Sequence, residues 1–123
     1  MEGQIRHYER RRHPRFPIDF PVDYHCEDRS RGFVGKALNA SEGGLMVCFD
    51  ENMDTGTNLF VSVLFNLGYQ LTEITARCQV IWKEVGLVSD LPGYQYGLKF
   101  LEIDEYDISK LKKLRKYIAD QMV

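Results

Sequence analysis

Between Phe16 and Tyr24 apolar residues fall on every second position: Phe16, Ile18, Phe20, Val22 and Tyr24 are separated by Pro17, Asp19, Pro21 and Asp23. Side chains on a strand alternate between its two faces, so this spacing predicts a strand with one buried face. Pro17 and Pro21 share the other face and cannot donate to a ladder, which predicts an edge or bulged strand. Residues 32–38 predict a second strand, the polar stretch 39–44 a turn, and the apolar run 45–49 a third strand. Acidic and glycine-bearing residues at 50–56 lead to a nearly continuous apolar strand over 59–65, and Asn66-Leu67-Gly68 supplies the next turn. The clearest alternation follows: Ile74, Ala76, Cys78, Val80 and Trp82 oppose Glu73, Thr75, Arg77, Gln79 and Lys83, as a half-buried strand requires. A loop holding Pro92-Gly93 precedes the last strand, where Tyr94, Tyr96, Leu98 and Phe100 alternate with Gln95, Gly97 and Lys99.

After residue 103 the period changes. Ile108, Leu111, Leu114, Ile118 and Met122 form one apolar stripe of a helix over 104–122, and Asp104, Glu105 and Asp107 sit where its N-terminal dipole favours negative charge. Lys110, Lys112, Lys113, Arg115 and Lys116 occupy much of the remainder, which reads as a solvated face before it reads as a partner surface. Six short strands joined by turns, with no helix between them, predict an all-β fold with a C-terminal helix, the strands forming a closed or nearly closed antiparallel β-barrel. The 123 residues suit one domain. Residues 1–15 lack apolar periodicity, and Pro14 disfavours helix at His13, so they are expected to form a flexible arm ahead of the barrel and helix at 16–123. No second domain is expected.

Composition supports a folded soluble protein, with 44% hydrophobic and 28% charged residues. No apolar stretch nears the roughly 18 residues of a membrane span, and the first residues are charged where a signal peptide would be apolar, so the expected place is the cytoplasm. Cys26, Cys48 and Cys78 are an odd number at wide spacings, which speaks against a disulfide framework and a zinc site and for reduced thiols packed in strands. His25 is the only histidine beside a cysteine, and neighbours on a strand point to opposite faces, so no metal is expected there. The net charge of -2 conceals a segregation. Five arginines stand against Glu9 between Arg6 and Arg15, whereas from Phe16 to Ile103 six basic residues face twelve acidic ones. A protein that coats long nucleic acid spreads positive charge over a face, because affinity grows with the number of phosphates neutralised. An acidic body with a basic arm does not fit that, so no nucleic acid polymer is expected.

Two motifs carry candidate chemistry. The first is Arg10-Arg11-Arg12-His13-Pro14-Arg15, in which Arg11 and Arg15 are four residues apart. Guanidinium groups are permanently charged, planar and rich in donors, so they pair bidentately with phosphate, reach O6 and N7 of guanine and stack on a purine. Alone, such a cluster equally fits a nucleic-acid tail or a solubilising segment. The second is Asn39-Ala40-Ser41-Glu42-Gly43-Gly44. Asn, Ser and Gly are what a tight turn needs in any case. Read as chemistry, the Asn39 amide accepts from and donates to a base edge, the Ser41 hydroxyl adds an adaptable bond, and Gly44 lets the backbone approach closely. No serine, cysteine or carboxylate pair stands in a catalytic signature, and His7, His13 and His25 are scattered, so an enzyme is not expected.

In this order, followed by strands and a terminal helix, the two motifs resemble the PilZ family, marked by R-x-x-x-R and then D/N-x-S-x-x-G. Arg11 and Arg15 match the first element, Asn39, Ser41 and Gly44 the second, and Tyr96-Gly97-Leu98-Lys99-Phe100 looks like the family's final barrel strand. The resemblance covers essentially the whole chain. It implies a six-stranded antiparallel barrel with a C-terminal helix that binds cyclic di-GMP, a bacterial second messenger, needs no other cofactor, and regulates a downstream protein by changing conformation. Carried over, Arg11 and Arg15 clasp phosphates and guanines, Asn39 and Ser41 read a base, and Gly44 permits the turn. Arg10 is an addition to the clasp: family members with a basic residue there often take the ligand as an intercalated pair, which implies two molecules per site. The alternative is a PilZ-like protein adaptor that binds no nucleotide.

Overall fold

The computed structural model describes residues 14–28, 32–85 and 93–121. Six strands, β1 (Phe16–Cys26), β2 (Phe33–Ala40), β3 (Gly44–Phe49), β4 (Asn58–Leu67), β5 (Gln70–Val85) and β6 (Tyr94–Ile103), precede one helix, α1 (Glu105–Gln121). The strands close into a barrel in the order β1-β2-β3-β6-β5-β4, every neighbour antiparallel. Closure falls to β1 and β4, where Val22 lies opposite Val63 and Cys26 opposite Leu59. The expected fold class is therefore observed.

The alternations read from the sequence are the inside and outside of this cylinder. Phe16, Val22 and Tyr24 of β1, Leu59, Val61, Val63 and Phe65 of β4, and Ile74, Ala76, Cys78 and Val80 of β5 are all buried in one core. Tyr24 stacks on Phe49 with ring centroids 3.8 Å apart. The buried Tyr96 hydroxyl donates to Glu51 O and accepts from Met53 N, both at 2.8 Å, which pins the segment after β3 across the barrel. Strand β1 pairs with β4 only from Val22 to Cys26, so Pro17 and Pro21 lie on the stretch of β1 that is laddered, among the described residues, on the β2 side alone, an edge in the local sense that their missing N–H groups call for. The β1–β2 register also shifts between Pro17 and Phe20, a bulge that begins at the first of the two prolines.

Helix α1 begins one residue later than its charge pattern predicts, because Asp104 is its cap: Oδ1 accepts the Tyr106 N–H at 3.1 Å. Leu111 and Leu114 are buried and Ile118 packs beside them, so the apolar stripe joins the barrel core, while Met122 lies outside the described residues. The β5–β6 ladder ends at Ala76 opposite Ile103, and the next amide along β5, Thr75 N–H, is taken up by Asp107 Oδ2 at 3.4 Å. Lys110 Nζ donates to Glu73 O at 2.8 Å and pairs with Asp107 Oδ1 at 2.9 Å, completing the attachment of the first helical turns to β5.

All three cysteines are buried in strands and none is in a disulfide. Burial pushes the Cys78 thiol up to about 12 and raises that of Cys48 from 9.0. The neutral thiol is thus favoured in the folded state, and the stability this contributes is lost as pH rises from about 9 towards 12. At pH 8 the native protein is expected to show almost no thiol that reacts with Ellman's reagent within minutes, and three once denatured. A rapidly reacting thiol in the native chain would contradict the packing described.

Candidate functional site

Pairing of β1 with β2 assembles the site. Phe16 lies opposite Ala40 and Pro17 opposite Asn39, so Arg15, exposed just ahead of β1, is brought level with the start of the turn after Ala40. Residues far apart in the chain thus meet because two strands share a register. Arg10 and Arg11 lie outside the described residues, as does most of the arm.

Asn39 belongs to β2, not to the turn as its composition predicts. The β2–β3 register shifts between Ala37, opposite Val47, and Asn39, opposite Met46, leaving Leu38 as the extra residue of a bulge. Strict alternation would aim Asn39 inwards with Ala37. With the bulge, Ala37 and Ala40 both face the core, and Asn39 is re-aimed to the outer face beside Met46. Among the described residues its Nδ2 approaches the Met46 sulfur, at 3.6 Å. Its Oδ1 is shielded from solvent and finds no hydrogen-bond donor among the described residues. A buried acceptor left open is costly and calls for a partner; Asn58 Oδ1 and Gln95 Nε2 are open in the same way among the described residues, and what sets Asn39 apart is its place beside Ser41 on the outer face.

The turn itself is Ser41-Glu42-Gly43. Ser41, 7% exposed, closes it twice: its N–H donates to Gly44 O at 2.9 Å, and its Oγ accepts the Gly43 N–H at 3.1 Å. The structural and chemical readings of this serine coincide, since a hydroxyl that accepts from the turn still has its own proton to donate. Gly44 is needed for a different reason than a turn conformation. Its φ is not positive, but a Cβ there would stand 1.9 Å from Leu98 O, because β3 and β6 approach tightly at the turn's base. Lys99 pairs with Gly44 across the same ladder and is exposed on the outer face.

Sequence reasoning missed the part of the site contributed by the helix. Glu42, whose side chain is only 20% exposed, is flanked by two cations of α1: Lys112 Nζ is 4.0 Å from Oε1 and Arg115 Nη2 is 3.9 Å from Oε2. The signal was present, because Lys112 and Arg115 are three apart and share a helical face. Nothing in the sequence says which carboxylate that face meets.

The chain belongs to the PilZ domain family, which matches residues 9–119 and so includes both motifs. Among solved structures it is similar to the Bacillus subtilis inhibitor of motility MotI/DgrA, with TM-score 0.75, 19% identity, and 92% of this chain and 52% of that one covered. It is also similar to the PilZ domain of YcgR from Escherichia coli, solved with c-di-GMP, with TM-score 0.68, 15% identity and coverage of 85% and 88%. The K. pneumonia MrkH–c-di-GMP complex is similar at TM-score 0.67 and 18% identity, with 92% of this chain and 52% of that one covered. The chain thus spans about half the length of MotI/DgrA and MrkH. Among curated proteins no sequence matches it. No catalytic family is indicated, and among the described residues no helix is long and apolar enough to cross a membrane.

Proposed function

We propose that this chain is a cyclic di-GMP receptor of the bacterial cytoplasm that regulates a partner protein. The observation carrying the reading is the open carboxamide oxygen of Asn39 on the outer face, at the strand pair that also brings Arg15 alongside Ser41. Carboxamide and hydroxyl are the groups that read a guanine edge, and guanidinium is the group that holds phosphate and stacks on purine. Arg10 and Arg11 complete the clasp from the arm, and Gly44 keeps β3 close enough to β6 to form the ledge. Binding of the dianion gathers the arm against the barrel and creates a surface that the free protein lacks, which the partner recognises. The c-di-GMP present in the similar YcgR and MrkH structures supports the same ligand class.

Calorimetric titration with cyclic di-GMP, beside GTP and a short RNA, tests this. Saturable binding of cyclic di-GMP alone is expected, at about micromolar affinity or roughly 8 kcal/mol, with two molecules bound per site. No heat at saturating cyclic di-GMP, from a chain that is folded by circular dichroism, rejects the receptor and leaves a nucleotide-independent adaptor.

A further inference from the structure

Glu42 is out of place in a site for a doubly negative ligand. It lies in the turn between Ser41 and Gly43, and its carboxylate is largely withdrawn from solvent, where charge is screened least. A bare carboxylate there would repel each phosphate that approaches Ser41. The two helical cations answer it, one at each oxygen, and both remain substantially exposed, Lys112 at 59% and Arg115 at 43%. The local sum of the three groups is thereby positive instead of negative. The same helix is held at its other end through Asp107 and Lys110 on β5 and in the middle by buried Leu111 and Leu114, so the cations stand on a fixed support.

From this we infer that Lys112 and Arg115 are positioning residues of the nucleotide site, acting through Glu42: they neutralise its charge and hold its carboxylate towards α1 and away from the ligand. The helix is therefore part of the binding site's electrostatics as well as a plug for the barrel. This rests on the proposed binding of cyclic di-GMP. A turn carrying Glu42 is compatible with an anionic ligand here because the helix supplies a matching pair of charges, and the chain with the pair removed should behave as though a negative charge had been added to its site.

The test is a double-mutant cycle read by calorimetry in 50 mM and 500 mM salt. Lys112→Ala with Arg115→Ala is expected to weaken cyclic di-GMP binding about fivefold to tenfold at low salt and about twofold or less at high salt. Lys112 and Arg115 are substantially exposed and Glu42→Gln is isosteric, so the fold is retained; the double variant leaves the shielded Glu42 carboxylate without its cations, and the fall in thermal midpoint this causes should also be reversed by Glu42→Gln. Adding Glu42→Gln to the double variant should restore affinity to within about twofold of the parent, whereas Glu42→Gln alone, which leaves both cations unanswered, should tighten binding by no more than about twofold. Rescue is the outcome a purely structural role would not produce. If the helix cations instead touch the phosphates directly, their loss costs the same with or without Glu42, and additive effects of that kind overturn the inference while leaving the receptor intact. An unchanged affinity in the double variant overturns it too. A parent chain that binds no cyclic di-GMP rejects the receptor itself and the helix's role with it.

Discussion

Replacing Arg15 with alanine is expected to weaken cyclic di-GMP binding at least about tenfold, or roughly 1.4 kcal/mol, and combining it with Arg11→Ala about a hundredfold. The size follows from what the ligand offers: a phosphate accepts two parallel bonds from one guanidinium, and a charge-assisted bond is worth about 1.5–3 kcal/mol. Arg15 is the arginine for which the geometry is explicit. The Phe16–Ala40 pairing sets its backbone level with Ser41, so part of the backbone ordering that binding requires is already in place at this position. Because Arg15 is exposed, the free variant should unfold within about 0.5 kcal/mol of the parent. Lysine at position 15 separates planar recognition from mere charge: it keeps the cation but loses the fork and the stacking plane, and should recover only part of the affinity. Calorimetry on the three variants decides the matter, and undiminished affinity in Arg15→Ala would remove Arg15 from the site.

What the sequence disclosed and what it withheld divide along a physical line. Period-2 alternation reports which face of a strand is buried, so the inward residues of β1 and β5, such as Phe16, Val22, Tyr24, Ile74, Cys78 and Val80, were legible one by one, whereas the continuous apolar runs of β3 and β4 announced strands without announcing faces. Bulges are not periodic features. The two prolines of β1 announced one because proline cannot donate, but the bulge at Leu38 has no such marker, and it alone decides that Asn39 faces outwards from a strand instead of lying in a loop. Long-range ion pairs are equally hidden. A helix with five cations is indistinguishable from a solvated surface until the turn it faces is known, so Glu42 and its pairing to Lys112 and Arg115 emerged only from the fold. The motif arginines show the complementary case: their chemistry was evident from residue type, while the level at which Arg15 enters the barrel, one residue before the Phe16–Ala40 pair, depends on a strand register.

Gly44→Ala should cost the protein about 3 kcal/mol of stability, at the upper end of what overpacking usually imposes. The added methyl would stand 1.9 Å from the Leu98 carbonyl oxygen, where a carbon and an oxygen in contact need about 3.3 Å. The obstacle is backbone, so no side-chain rotation relieves it; β3 and β6 must separate by more than an ångström at the turn. That movement strains the Phe100 N–H bond to Gly43 O and the Ser41 N–H bond to Gly44 O, both 2.9 Å, and the barrel cannot open locally without disturbing ladders on either side. A fall in thermal midpoint of roughly 10 °C is expected. Gly56→Ala is the control. Gly56 has φ +92° but nothing within 4 Å of its would-be Cβ, so only conformational strain of about 1 kcal/mol applies. If Gly44→Ala unfolds no earlier than Gly56→Ala, the close approach of β3 and β6 is not what the glycine of the turn provides. If it does unfold earlier, the protein that remains folded at 20 °C should also bind cyclic di-GMP more weakly, because the ledge carrying Ser41 moves with β3.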